Sequence, residues 1–318
     1  MRFRISPALA VAALMAATLL VACGGNDAAD GDGGETTPDG PATDVKIQVL
    51  TSLEIFADIV REVGGDRVEA HSLAETAADF ESFEPTRADI ENISKARAII
   101  INGTNLDASI LDTINEYRHG SSQLVRVSRN VPSPSEAKPP EREPSAEDVG
   151  DNPYLWLDLD LVPYYVESIA DVLFIVDGAN TAYYQDNARR YRETLTELGS
   201  ELKAEVDNIP DADRKLVTLN DFYPHLARYS GLEVVGTLQP DPKKQPTDED
   251  ISRLASKIEE EGVSAVFRDA LADATAIQAL SEKAGVPICT LYSTSLDDDV
   301  TSYAEMMRFN VEELVRCL

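Results

Sequence analysis

Lys46-Ile47-Gln48-Val49-Leu50-Thr51-Ser52-Leu53-Glu54-Ile55-Phe56-Ala57-Asp58-Ile59-Val60 changes its hydrophobic period midway. Lys46 to Leu50 alternates like a strand, whereas Phe56, Ile59, Val60 and Val63 recur at helical spacing. Thr51 and Glu54 between them match a capping box, and Gly64-Gly65 stops the helix. A strand feeding directly into a helix is the repeating unit of parallel sheets, because parallel neighbours need a crossover.

The unit recurs along the chain. Arg67 to Leu73 reads as a second strand, leading into the loop Asp79-Phe80-Glu81-Ser82-Phe83-Glu84-Pro85. Thr86 caps a helix through Ser94, and Ala98-Ile99-Ile100-Ile101 is an apolar run suited to a strand covered on both faces. A helix from Asp107 to Glu116 and a strand from Leu124 to Val127 follow. Residues 131–150, with five prolines and little apolar content, read as a solvated loop. After Asn152 to Asp158 and a short helix, Tyr184, Ala188, Tyr191, Leu195, Leu198, Leu202 and Val206 mark one face of a helix from Asn180 to Asn208. At 1.5 Å per residue it is on the order of 40 Å long. A strut between two lobes and a helix packed within one domain both fit it. Strands at Lys215 to Thr218, Leu232 to Val235, Val263 to Phe267 and Val286 to Leu291 then alternate with helices, the last from Ser302 to Leu318. Both halves therefore read as small α/β lobes of mostly parallel sheet, over residues 45–178 and 210–318, with the long helix at 179–209 between them.

Composition narrows the function. With 57 acidic and 28 basic residues among 318, nucleic acid is excluded as a partner, since phosphate neutralisation needs Lys and Arg. Three histidines rule out a dense imidazole metal site. No phosphate-binding Gly-rich loop, nucleophile elbow, Cys-x-x-Cys or His-Glu-x-x-His occurs, so the chain does not read as an enzyme. Arg2 and Arg4, the apolar run Ala8 to Ala17 and Leu20-Val21-Ala22-Cys23 form an N-terminal targeting segment. Leu-Val-Ala-Cys resembles a bacterial lipobox, which implies cleavage after residue 22, a lipid on Cys23 and a location outside the cell membrane; an ordinary secretory peptide is the alternative. Residues 24–44, rich in Gly, Asp and Thr, read as a flexible tether from the anchor at Cys23. In that oxidising compartment Cys289 and Cys317 fit either a disulfide or two separate buried thiols.

Phe83-Glu84-Pro85-Thr86 followed by Asp89-Ile90 resembles the first metal-binding loop of the periplasmic zinc/manganese-binding proteins that feed ABC importers. Thr51 to Val60 with Gly64 to Val68, Asn102-Gly103, Trp156-Leu157-Asp158, Gly231 to Gly236 and Tyr303 to Asn310 extend the resemblance over nearly all of Lys46 to Leu318. It implies two α/β lobes joined by one long rigid helix, a metal cation as cargo in the cleft, a permease and an ATPase as partners, and a monomer anchored to the membrane. It also implies four ligand positions, usually three His and one carboxylate. Here they fall on Glu81, Tyr154, Asn220 and Thr294, with Asp221 and Asp269 expected near the cleft. These side chains offer oxygen alone, which suits a hard divalent or trivalent cation better than zinc. A polar organic ligand, a metal chelate, or a surface lipoprotein that has lost its ligand and acts through protein contacts are the alternatives.

Overall fold

The computed structural model describes residues 45–74, 80, 83–104, 106–132, 152–241 and 243–318. Glu81 and Cys23, with the rest of the targeting segment and the tether, lie outside the described residues.

The first half builds β1 (Ile47–Leu53), α1 (Glu54–Gly64), β2 (Val68–Ala74), α2 (Arg87–Lys95), β3 (Ala98–Ile101), α3 (Ala108–Tyr117) and β4 (Gln123–Arg126). Its sheet has the order β2-β1-β3-β4, with every pair parallel. After α4 (Val162–Val176) and α5 (Thr181–Val206) the second half repeats the scheme with β5 (Lys215–Asn220), α6 (Pro224–Ser230), β6 (Glu233–Gln239), α7 (Asp248–Glu261), β7 (Val266–Asp269), α8 (Thr275–Ala284), β8 (Ile288–Leu291) and α9 (Tyr303–Cys317). That sheet runs β6-β5-β7-β8, again all parallel. The order of strands reverses at the same point in each half, between β1 and β3 and between β5 and β7. Crevices at the carboxyl ends of strands flanking such a point are where doubly wound proteins hold ligands.

Local signals explain most boundaries. Thr86 and Asp89 close a full capping box on α2, as do Thr247 and Asp250 on α7. Gly262 and Gly285 end α7 and α8 at φ 68° and 71°, a left-handed turn that only glycine adopts freely. The expected capping box at Thr51 and Glu54 does not form. Thr51 lies inside β1, and its hydroxyl donates to the carbonyls of Leu53 (2.9 Å) and His71 (3.2 Å). Glu54 instead accepts from Arg61 and Ser72. The strand runs on to Leu53, which becomes the N-cap of α1, and the Thr51 hydroxyl turns to the carbonyls of Leu53 and of His71 on β2 instead of to the helix.

The 26-residue α5 turns Tyr184, Ala188, Tyr191, Leu195, Leu198, Leu202 and Val206 inward, and all seven are buried. These side chains belong to one continuous core that runs from β1 and α1 across α5 to α9. A separate cluster, including Val217, Leu254, Ile258, Ile277 and Leu280, joins the second sheet to α7 and α8. The second sheet is thus covered on both faces, as an all-parallel sheet requires. Cys289 on β8 and Cys317 at the end of α9 form a disulfide, with Cα atoms 6.7 Å apart.

Candidate functional site

Residues 152–158 lie between the two sheets, and their bonds run to both. The Asn102 side-chain amide donates to the Pro153 carbonyl (3.0 Å), and Tyr165 holds the Asn102 carbonyl oxygen (2.7 Å). Toward the second half, the Asn152 amide donates to the Asp221 carbonyl (2.9 Å), and the Trp156 indole N–H donates to the Ser293 carbonyl (2.7 Å). The Tyr303 hydroxyl returns a bond to the Trp156 carbonyl (2.7 Å). Trp156 has no exposed surface and meets Phe56 edge to face, with centroids 5.3 Å apart. Asp158 forms a buried ion pair with Arg228 of α6; burial raises its carboxyl despite the guanidinium charge. His225 is buried enough that its imidazole falls to about 4, so at neutral pH it is uncharged and its Nε2–H donates to the Asn152 carbonyl (3.0 Å). That histidine is a structural donor. His71 stands beside Glu69 on β2, and His119 turns to Ser121 past α3.

This bracing fixes where Tyr154 sits. Its ring packs on Trp156 (5.3 Å) and on Phe222 (4.8 Å). Burial, then the carboxylates of Asp269 and Asp221, hold its phenol well above the ordinary value, so it is neutral at physiological pH. Both acids therefore approach Tyr154 closely enough to act on it. The register explains how Asn220 joins them. Thr218 is paired with Phe267, so the two chain ends Asn220 and Asp269 fall side by side on neighbouring strands. Asp269 is paired with Leu291 on the other side, and Thr294 follows three residues beyond. Asn220, Asp269 and Thr294 are buried, while Asp221 is exposed, with its carboxyl raised by partial desolvation. The structure thus brings Tyr154, Asp221 and Asp269 within electrostatic reach, and places Asn220 on the neighbouring strand end and Thr294 in the segment that follows β8.

Asp269 is the centre of this edge. Its Oδ1 accepts from the Leu271 backbone (3.1 Å), and its Oδ2 accepts from the Tyr223 hydroxyl (3.0 Å). Tyr223, fully enclosed, also lies 3.2 Å from the Leu291 carbonyl. Neither Tyr223 nor Phe222 stands out in the sequence, where the segment's signal ends at Asn220-Asp221. Among the described residues, the Asn220 amide and the Thr294 hydroxyl have no hydrogen-bond partner of their own. The oxygens available for a ligand are therefore a phenol, an amide, a hydroxyl and two carboxylates. Such a set can coordinate a hard cation, or can hydrogen-bond a polar molecule stacked on Tyr154 and Phe222. Among the described residues the one tight group of three thiol, imidazole or carboxylate side chains is Cys289, Glu313 and Cys317, whose sulfurs are already bonded to each other.

The model of one protein family, "Zinc-uptake complex component A periplasmic" (ZnuA), matches residues 49–317. The manganese ABC transporter substrate-binding lipoprotein PsaA of Streptococcus pneumoniae is 25% identical over 286 residues, covering 86% of this chain and 89% of that protein. A metal ABC transporter substrate-binding lipoprotein of Lactococcus lactis is 24% identical over 283 residues, covering 87% and 89%. Among solved structures, the periplasmic zinc binding protein TroA of Treponema pallidum superposes with a TM-score of 0.73 at 23% identity, over 86% of this chain and 99% of that one. A cadmium-bound periplasmic metal binding protein of Candidatus Liberibacter asiaticus gives 0.72 at 22%, over 85% and 99%. At these identities the structural likeness speaks for the fold.

Proposed function

Because the chain belongs to the family of periplasmic zinc-uptake complex component A, we propose that it is the substrate-binding component of an ABC importer, lipid-anchored at Cys23 outside the cell membrane, that captures a metal cation and passes it to a permease and an ATPase. The observation that carries this reading is Asp269 at the end of β7, beside Asn220 and within electrostatic reach of Tyr154. It puts a buried carboxylate at the crevice where the strand order reverses. Glu81, Tyr154, Asn220 and Thr294 are the expected ligands, with Asp221 and Asp269 supplying further charge. An all-oxygen set selects a hard divalent or trivalent cation over zinc. No catalytic role is assigned to any of these groups.

The experiment is a thermal-shift panel with elemental analysis on the chelated, untagged mature chain. A ligand that binds the native state raises the melting temperature once its concentration exceeds its dissociation constant. The expected result is a saturable shift at about one equivalent of a hard cation such as Mn²⁺ or Fe³⁺, lost in Asp269→Asn. A panel in which no metal shifts the transition would overturn the metal reading.

A second reading rests on the ring contact between Tyr154 and Phe222 at 4.8 Å. It makes the cargo a metal chelate or another polar organic molecule, and a shift with a chelated metal but not with the bare ion would establish it.

A further inference from the structure

Parallel strands place the starts of β1, β2, β3 and β4 on one edge of the first sheet, opposite the candidate site. Three of those strands are preceded directly by an exposed cation: Lys46 before β1, Arg67 before β2 and Arg97 before β3. In a chain with 57 acids and 28 bases this edge departs from the average surface. Helix α4 ends at the same edge, because the Arg97 guanidinium donates to the Val176 carbonyl (3.1 Å) while the Arg97 backbone N–H bonds to Gln48 on β1 (2.8 Å). In the last turn of α4 the apolar face continues past the core. Val172 and Leu173 are buried, but Phe174 and Ile175 are 51% and 61% exposed. The acids of the edge do not all face outward. Asp177 turns to the Tyr184 hydroxyl (2.6 Å) and to Asn180 (2.8 Å), whereas Asp66 and Asp171 remain exposed.

What lies opposite this edge follows from where the chain enters it. Val45, 78% exposed, is the first described residue and leads straight into β1. Only the 21 residues 24–44 separate it from Cys23. A chain of 21 residues reaches at most about 75 Å, whatever its conformation. A lipid on Cys23 therefore holds this edge at an effective concentration near the millimolar range against the bilayer, where a weak contact suffices. Apolar side chains flanked by Lys and Arg are the groups that settle at the boundary of headgroups and acyl chains. We propose that the N-terminal edge of the first sheet is a membrane-resting surface, which lays Phe174 and Ile175 into the bilayer that carries the anchor, with Lys46 and Arg97 against the headgroups. The proposal rests on anchoring through Cys23. In that contact the site-bearing edge of the first sheet is turned away from the lipid.

The test uses the lipidated chain in vesicles of phosphatidylethanolamine and phosphatidylglycerol, with and without brominated acyl chains. Trp156 is the single native tryptophan and is fully buried, so added indoles report separately. Phe174→Trp is expected to blue-shift and lose emission to the brominated lipid, while Leu271→Trp, 55% exposed beyond the end of β7, does neither. Equal emission from both variants in a chain that floats with the vesicles overturns the membrane-resting surface and leaves the anchor intact. A chain that fails to float overturns the anchor and the proposal together. If the unlipidated Cys23→Ser chain forms a dimer that Phe174→Asp with Ile175→Asp abolishes, the occupant is a second copy and the proposal falls.

Discussion

The indole nitrogen of Trp156 donates to the backbone carbonyl of Ser293 over 2.7 Å, joining residues 137 positions apart. Thr294 is the next residue, so one buried hydrogen bond couples the segment bearing Tyr154 to the loop after β8 that bears Thr294. Trp156→Phe keeps a ring against Phe56 but leaves that carbonyl without its donor. The variant is expected to lose about 2–3 kcal/mol in urea unfolding, the sum of a smaller buried ring and an unpaired acceptor. Its affinity for ligand should fall further than that of a surface control of matched stability; equal affinities would detach the coupling from the site.

Tyr154 yields a prediction about protons. Its phenol is neutral because burial and the carboxylates of Asp269 and Asp221 all oppose ionisation. A bound cation reverses the charge seen by the phenol, so coordination through the ring oxygen must expel a proton. Calorimetry in buffers of different ionisation enthalpy is expected to show about one proton released per metal at pH 7. Tyr154→Phe should bind more weakly and release none. Release that persists in the variant would remove Tyr154 from the ligand set.

Periodic signals make the scaffold legible from the sequence. The seven apolar positions of α5 recur at a local period, and burial of that face needs no knowledge of its partner. The capping boxes of α2 and α7 are equally local. Thr51 shows where such reading stops, since its residue stays in β1 and its hydroxyl is shared between the Leu53 carbonyl and one on β2, twenty residues away. The candidate site lies further still from local reach. Tyr223 meets Asp269 only because β5 and β7 are neighbours, 46 residues apart in sequence, and no spacing in Asn220-Asp221-Phe222-Tyr223 announces it. Resemblance supplied the positions of Tyr154, Asn220 and Thr294; the neutral state of the phenol required the fold.

Asp58 on α1 accepts from the backbone N–H of Tyr303 (2.8 Å) at the start of α9, joining the two halves away from the cleft. Burial raises its carboxyl to about 6 from an ordinary value of 3.8, with Glu62 adding to the effect and Arg61 opposing it. A folded pKa above the unfolded one means the native state holds the extra proton. That stabilisation is full below about 4 and is lost as pH rises through 6. Asp58→Asn keeps an acceptor for Tyr303 and removes the buried charge. It is expected to stabilise the chain by about 1–2 kcal/mol at pH 8 and to make little difference near pH 4. Destabilisation at pH 8 would show instead that the carboxylate's charge holds the start of α9.

His225 carries the opposite sign. Its folded pKa of about 4 lies below the ordinary value of 6.5, chiefly because of burial, and Arg228 opposes protonation as well. The native state therefore binds the proton less well than the unfolded chain. The contribution of neutral His225 is present above pH 6.5 and drains away as pH falls toward 4. Over that window the loss is roughly 3 kcal/mol if the full shift operates. His225→Gln retains an N–H for the Asn152 carbonyl and cannot titrate. Subtracting its unfolding free energies from those of the unmodified chain at a series of pH values isolates this one group from Asp58 and Asp158, whose raised carboxyls push the other way. The difference should be flat above pH 7 and should fall steadily between 6.5 and 4; a difference that stays flat throughout would mean that the imidazole takes up its proton in the folded chain as readily as in the unfolded one, so that burial does not oppose its charge.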